Sequence, residues 1–341
     1  MIYTAKDIAN LLKISPAAVS LVINNRQGIS EATRIAVFEK ISELGCDYLL
    51  KKKPVKIDTI GFVVYKRHGN IIDQSPFFSL MIESIETSSR KQGYRIVLIY
   101  IDKANKISEQ IDYIQSLHCS GLIIFATEML NEDISPFYDL ELPFVILDNY
   151  FPDTLADSVA INNEQGTYQA AKYLYDSGHR KIGYLQSKTY LTSFSERKQF
   201  FFSALRKFKV IGMERYIFHI GYPEDNAYLD FKEILDSGTE LPTALFADND
   251  LIAFGAIKAL KEKGYRVPED ISVIGFDDRP ICVTSEPHIT TINVPKAIFG
   301  ALAVDTLINR INNNYGGYIK IEIGTELVVR GSVTKPKSLP L

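Results

Sequence analysis

Seven short apolar runs, separated mostly by stretches of helical spacing, constrain this chain more than any other feature. They are "TIGFVVY" (59–65), "YRIVLIYI" (94–101), "GLIIFA" (121–126), "FVILD" (144–148), "KIGYL" (181–185), "TALFA" (243–247) and "SVIGFD" (272–277). Continuous rather than alternating apolar character predicts strands covered on both faces, as in parallel sheets with helices on either side. Seven strands spread over roughly 220 residues suit two doubly wound domains better than one. The expected class is therefore α/β.

Ahead of the first run the pattern is purely helical. Thr4 with Asp7 makes a capping-box-like start, followed by Ile8, Leu11 and Leu12. After a turn at Lys13 and Ile14, Ser15 serves as an N-cap and Pro16 takes the first helical position, where its missing N–H costs nothing. Val19, Val22 and Ile23 can then face a core, which leaves Pro16, Ala17, Leu21 and Asn24 outside. A third helix starts at Ser30, carries Ile35, Phe38, Ile41 and Leu44 at helical spacing, and stops at Gly45. Helix, short turn, helix is the helix-turn-helix arrangement. The stretch "DYLLKKKPVKID" (47–58) that follows reads as a linker.

Charge separates the same two regions. Residues 1–56 hold nine Lys/Arg against five Asp/Glu, a balance of +4, so the remainder carries −7 of the total −3. A basic head on an acidic body suggests a polyanionic partner for the head alone. No apolar run approaches the roughly 18 residues of a membrane span. The first 20 residues are a polar, periodic helix pattern, so no signal peptide and no membrane association are expected. Cys46, Cys119 and Cys282 lie far apart, which argues for a reducing, cytoplasmic setting and against a disulfide framework or a Cys-based zinc site. The five histidines are equally scattered, and neither a metal site nor a cofactor is expected.

In open α/β sheets ligands bind beyond the carboxyl ends of the strands. There the sequence places Phe77 and Phe78, Asp148, Asn249 and Asp250, and Asp277 and Asp278. Carboxylates and amides pair with hydroxyls, and aromatic rings cover an apolar C–H face. That mixture suits a small polyhydroxylated or heterocyclic ligand in a cleft between two domains. The same residues could simply cap helices or order loops. Catalytic signatures are missing: the chain has no G-x-S-x-G, G-x-x-x-x-G-K-[ST] or H-E-x-x-H. His179, leading into a strand, reads as structural, and no enzymatic activity is expected.

Head, linker and body together resemble the LacI/GalR family of bacterial transcription repressors over nearly the whole chain. "TAKDIANLLKISPAAVSLVINN" looks like that family's helix-turn-helix, and "ISEATRIAVFEKISELG" is similar to its third helix. "SPFFSLMIESIE", "SGHRKIGYL", "SERKQFFFSAL", "PTALFADNDLIAFGAIKAL", "VPEDISVIGFDD" and "PHITTINVP" resemble its body motifs in the family's order. The resemblance implies an N-terminal helix-turn-helix DNA-binding domain over 1–46, a hinge or linker over 47–58, and a periplasmic-binding-protein-like body over 59–341 with doubly wound parallel sheets. Within that body the expected N-subdomain is about 59–160 plus 292–320, and the C-subdomain about 161–291 plus 321–335.

The same resemblance assigns candidate residues. Phe78 falls at an aromatic position that stacks on effectors, with Phe77 beside it; Asp148 and Asp277 match acidic contacts, Arg197 a donor to effector oxygens, and Asn249 a polar pocket position. Thr4, Ser15, Ser20, Asn24, Ser30 and Thr33 match phosphate- or backbone-contacting positions, while Pro16, Ala17 and Leu21 match positions that read base edges. Two departures stand out. The hinge is lysine-rich and broken by Pro54, with Leu49 or Leu50 as the candidate minor-groove wedge, and Phe200 stands where a glycine is usual. No leucine-heptad tail follows residue 330, so a homodimer is expected rather than a four-chain assembly.

The function expected is a sequence-specific repressor of a carbohydrate-utilisation operon. Its partners are a pseudo-palindromic double-stranded DNA operator and a small-molecule effector, a sugar or sugar derivative. The alternatives on the same body are a solute-binding protein, opposed by the basic head, and a sugar-processing enzyme, opposed by the missing catalytic constellation.

Overall fold

Three side-chain oxygens start the three helices of the N-terminal unit. The computed structural model describes residues 3–24, 26, 28–50, 58–69, 76–313 and 316–337; of Asp47, Pro76 and Phe77 it describes the backbone alone. The chain divides into two units, Met1–Ile57 and Asp58–Leu341. Helix α1 (Ala5–Leu12) is closed by a capping box, in which the Thr4 amide donates to the Asp7 carboxylate at 2.7 Å and the Asp7 amide to Thr4 Oγ1 at 3.4 Å. Ser15 Oγ accepts from the Ala18 amide at 3.1 Å to open α2 (Pro16–Ile23), and Ser30 Oγ from the Thr33 amide at 3.3 Å to open α3 (Glu31–Glu43).

Ile8, Ala9, Val19, Val22, Ile23, Val37, Ile41 and Cys46 form the core of this unit. The expected α2 face is therefore the buried one, whereas the α3 stripe is shifted. Ile35 and Phe38 are 49% and 38% exposed, and Val37 takes the inward position with Ile41. Helix α3 is apolar on more than one side, so spacing alone did not choose between the stripes. A 3₁₀ turn (Asp47–Leu49) ends the described head, with Leu49 and Leu50 half-buried against its core. Pro54 and the lysine-rich segment around it lie outside the described residues.

In the second unit strands and helices alternate. It begins β1 (Thr59–Lys66), α4 (Pro76–Lys91), β2 (Arg95–Asp102), α5 (Ile107–Ser116), β3 (Gly121–Phe125), α6 (Ser135–Tyr138), β4 (Phe144–Leu147) and β5 (Asp157–Ile161). Next come α7 (Asn163–Asp176), β6 (Ile182–Ser187), α8 (Thr192–Lys207), β7 (Ile217–Ile220), α9 (Glu224–Asp236) and β8 (Ala244–Ala247). They are followed by α10 (Asp250–Glu262), β9 (Ser272–Ile274), α11 (Ile281–Thr284), β10 (Thr291–Asn293), α12 (Lys296–Asn313), β11 (Lys320–Ile323) and β12 (Glu326–Val328).

Two parallel sheets result, one per lobe. The first runs β11-β5-β4-β3-β1-β2 and the second β7-β6-β8-β9, while β10 and β12 pair antiparallel as a small ribbon of their own. Both sheets reverse their winding at the second strand pair, between β1 and β3 and between β6 and β8, and such switch points open a crevice at the strands' carboxyl ends. The central strands β1, β3, β4, β5 and β8 are buried along nearly their whole length, as continuous apolar runs require. Strand β2 is the exception: it is an edge, and Leu98 and Tyr100 on one of its faces are 39% and 49% exposed.

The subdomain division differs from expectation at two points: β10 (Thr291–Asn293) stays with the second lobe, bridged through Asn293 to Asp277, and β11 joins the first. Strand β11 pairs in parallel with β5, Lys320 opposite Ser158, so residues 320–323 complete the first lobe's sheet rather than belonging to the second lobe. The chain passes between lobes after β5, between β10 and α12, and between β11 and β12. Gly166 on α7 lies against these crossings: a Cβ there would come within 2.8 Å of Phe276 and 2.9 Å of Ile292 and Thr325, so only glycine lets the helix pack this closely.

Candidate functional site

On the head, α2 turns Val19, Val22 and Ile23 inward and leaves Pro16, Ala17 and Ser20 exposed, with Leu21 half-buried beside them. This face offers methyl and methylene surface but no bidentate hydrogen-bonding side chain, so any reading of bases through it is by apolar contact. Of the polar candidates, Thr4, Ser15 and Ser30 are N-caps, Thr33 Oγ1 lies 2.8 Å from Ser30 Oγ, and Asn24 Nδ2 donates to the Ser20 carbonyl at 2.7 Å. Each is exposed or half-exposed; Thr4, Ser15, Ser30 and Thr33 sit at helix N-termini, where free amides and the positive dipole end suit phosphate oxygens, whereas Asn24 is the C-cap of α2.

In the body, Asp148 and Asp277 at strand ends and Arg197 on α8 act on one another through their charges, while Asn249 joins them only through the backbone of its neighbour Asp248. Arg197, on the first turns of α8, is 3% exposed. Its Nε donates to Asn163 Oδ1 at 3.0 Å, its Nη1 to the Asp248 carbonyl at 2.6 Å, and its Nη2 lies 3.2 Å from Asp277 Oδ1. The guanidinium also stands 3.7 Å over the Phe276 ring. Asp277 faces a second arginine, since Arg279 Nε and Nη2 donate to its Oδ2 at 3.1 and 2.9 Å. Burial opposes the charge of Arg279 most strongly, but Asp277, Tyr222 and Asp250 together outweigh it and raise its pKa. One carboxylate is thus shared by two buried guanidinium groups.

Asp148 follows β4 in the first lobe and accepts from Thr127 Oγ1 at 2.5 Å. It keeps some surface at the cleft yet lies deep among protein atoms, and burial pushes its carboxyl up to about 7, against the pull of Thr127 and then of Arg197. Asp248 and Asp250, flanking Asn249, are likewise pushed up to about 7 by burial. Tyr184 and the Ser187 amide hold the Asp248 carboxylate, and Thr291 and the Arg279 amide hold that of Asp250. Asn249 caps α10, its Oδ1 accepting from the Ile252 amide at 3.1 Å, while its buried Nδ2 has no hydrogen-bond partner among the described residues. Phe78, on α4, is half-buried and stacks between Phe62 and Phe125 with centroids 6.2 and 5.6 Å away. The side chain of Phe77 lies outside the described residues.

Asn163, Glu196, Asp248 and Arg279 join this network without having been singled out from sequence. Arg279 had a signal, a cation two residues beyond an adjacent acidic pair. Asn163 had none, because β5, which delivers it, is bounded by polar residues. His179 is structural: its Nε2 donates to the Thr334 carbonyl at 2.9 Å and its Nδ1 faces Thr243 Oγ1 at 2.9 Å. Burial lowers its pKa, which keeps the ring neutral and its bonds directional. Among the described residues no group of side chains could hold a metal ion, and no helix is long and apolar enough to cross a membrane.

A helix-turn-helix unit followed by a two-lobed binding body defines a class: DNA-binding regulators that answer to a small molecule. Residues 4–47 match the model for bacterial regulatory proteins of the lacI family, and residues 171–333 that for a periplasmic binding protein-like domain. The chain is 32% identical over 340 residues to the HTH-type transcriptional repressor PurR of Mannheimia succiniciproducens, covering 97% of this chain and 99% of that one. Among solved structures it is similar to a transcriptional regulator CelR–cellobiose complex, with a TM-score of 0.72 and 26% identity over 97% of this chain and 99% of the other. The lac repressor dimer bound to operator and the anti-inducer ONPF shares the fold, with a TM-score of 0.73 and 23% identity over 98% of this chain and 100% of the other. The chain belongs to the LacI/GalR family. It is a transcriptional repressor and not an enzyme.

Proposed function

We propose that this repressor controls a carbohydrate-utilisation operon from the cytoplasm, as a homodimer on a pseudo-palindromic operator, and that a sugar or sugar derivative in the cleft sets its DNA affinity. The observation that carries the reading is the convergence of Asp148 from one lobe with Arg197 and Asp277 from the other. A ligand touching both lobes biases their closure, and closure can change the spacing of paired heads without altering any base contact. Acceptors (Asp148, Asp277), donors (Arg197, Asn249) and the ring of Phe78 suit hydroxyls and the C–H face of a pyranose. The cellobiose named in the similar CelR complex supports the same class of ligand.

On the head, Pro16, Ala17 and Leu21 read base edges, and Thr4, Ser15, Ser20, Asn24, Ser30 and Thr33 position the phosphates. Leu49 or Leu50 provides the minor-groove wedge. Dimerisation is supported by the operator-bound dimer of the same fold and by exposed Leu80, Leu98 and Tyr100 on the first lobe.

Gel shifts with the DNA flanking its own coding region, run with and without mono- and disaccharides and with nucleobases, test the proposal. A sugar that changes the retarded fraction supports it. A response to nucleobases and to no sugar would replace the ligand class, because a flat heterocycle can use the ring of Phe78 equally well.

A further inference from the structure

Two carboxyl groups from opposite lobes lie near each other, and among the described residues neither accepts a hydrogen bond from a cation, although the charge of Arg197 acts on both. Asp148 stands at the end of β4 in the first lobe, and Glu196 on α8 in the second. Among the described residues their hydrogen bonds come from neutral donors. Thr127 Oγ1 donates to Asp148 at 2.5 Å, Asn163 Nδ2 donates to Glu196 at 2.8 Å, and the Tyr150 hydroxyl, two residues beyond Asp148, also donates to Glu196. Glu196 is close enough for its charge to act on Asp148.

The cations nearby point their donors elsewhere. Arg197 serves Asn163, the Asp248 carbonyl and Asp277. Arg279 serves Asp277 and Tyr222, Lys198 serves Gln186, and Lys296 serves the carbonyls of Asp277, Asp278 and Val294. Burial raises the pKa of both carboxyls, most at Asp148, which shows how little solvent compensates their charge. The buried amide of Asn249, with Nδ2 unpartnered among the described residues, adds a neutral donor to the same network.

We infer that this cleft selects an uncharged, hydroxyl-rich ligand and rejects phosphorylated and carboxylated sugars, with Glu196 as a specificity-determining residue on the second lobe's wall. The inference rests on reading the cleft as a sugar site. Hydroxyls donate to Asp148 and Glu196 and accept from Asn249, so a neutral polyol satisfies both lobes at once. A phosphate or carboxylate brings acceptors only. It would lose its water beside two buried carboxyl groups, in a place where the guanidinium donors are already engaged.

Calorimetric titration of the full chain with matched sets tests this: D-glucose, glucose 6-phosphate and glucuronate; D-galactose, galactose 6-phosphate and galacturonate. In whichever set binds, the neutral member should bind at least about tenfold more tightly than both charged ones. Glu196→Gln should narrow that gap to a few-fold, and Glu196→Asp, which keeps the charge, should preserve it. A charged member binding as tightly as its neutral parent overturns the inference and leaves the sugar reading standing. So does an unchanged gap in a folded Glu196→Gln. Should Glu196→Gln not fold, the wild-type gap and the Glu196→Asp variant decide. If no member of either set binds, this inference falls, and the sugar reading is decided separately by the gel shifts with mono- and disaccharides.

Discussion

Asp148 and Asp277 sit at φ values of 67° and 102°, a region of the backbone map that residues with a Cβ seldom enter. Each such residue costs on the order of 1–3 kcal/mol and persists only where its surroundings over-determine it. Here they do: the Asp148 amide donates to the Val159 carbonyl at 2.9 Å and the Asp277 amide to the Ile292 carbonyl at 2.8 Å. Both candidate acceptors are thus held in place from behind as well as through their side chains. Asp148 also makes ligand binding depend on pH. Burial pushes its carboxyl up to about 7, and a ligand hydroxyl that donates to it favours the ionised form. The complex therefore binds fewer protons, and affinity rises with pH until it flattens above the free pKa. Between pH 6 and pH 8 a gain of about tenfold is expected. Asp148→Asn should lose this slope. Titrations at both pH values check this; affinity that falls with pH, or a slope untouched by Asp148→Asn, removes Asp148 from the contact.

At the scale of elements, α2 carries the specificity argument. Its outward residues are small and apolar, so Leu21→Ala should relax the preferred DNA motif while leaving non-specific binding nearly intact, and Thr33→Ala should weaken all sequences alike. Selection from random DNA by both variants checks this, and an unchanged motif in Leu21→Ala excludes that side chain from the readout. The elements also show what a single sequence reveals. The seven apolar runs are strands because a central parallel strand must be apolar throughout. Strand β5, "DSVAI", escaped because its first two residues, Asp157 and Ser158, are polar yet buried: Arg310 donates to Asp157 at 2.8 and 2.6 Å and neutralises it. In "IFHI" (β7), His219 interrupts the run, and β10 and β12 are three residues each, too short for a pattern. The site divided in the same way. Asp148, Asn249 and Asp277 were legible as strand-end residues, whereas Glu196 and Asn163 acquire their place only when α7 and α8 are packed together.

For the whole molecule, the +4 head and −7 body predict a division of labour between units that each have their own core. Residues 59–341 should fold alone and retain ligand binding, and should not bind promoter DNA. The full chain should lose affinity steeply between 50 and 200 mM salt, by orders of magnitude if several phosphates are neutralised, because counterions are released on binding. Gel shifts and thermal melts of both proteins check this. Promoter binding by 59–341 equal to that of the full chain would place the DNA contacts outside the head.

The pairing of β11 with β5 has a consequence for how the protein is made. A ribosome synthesises β1 to β5 early, yet the strand that closes their sheet lies more than 150 residues later, at Lys320–Ile323, and α12, which covers β3 to β5, is only slightly earlier. Through most of translation the nascent first lobe therefore has a bare strand edge and an uncovered apolar face, the two features that invite aggregation. A message cut short before codon 320 yields a chain with a complete head but no finished lobe.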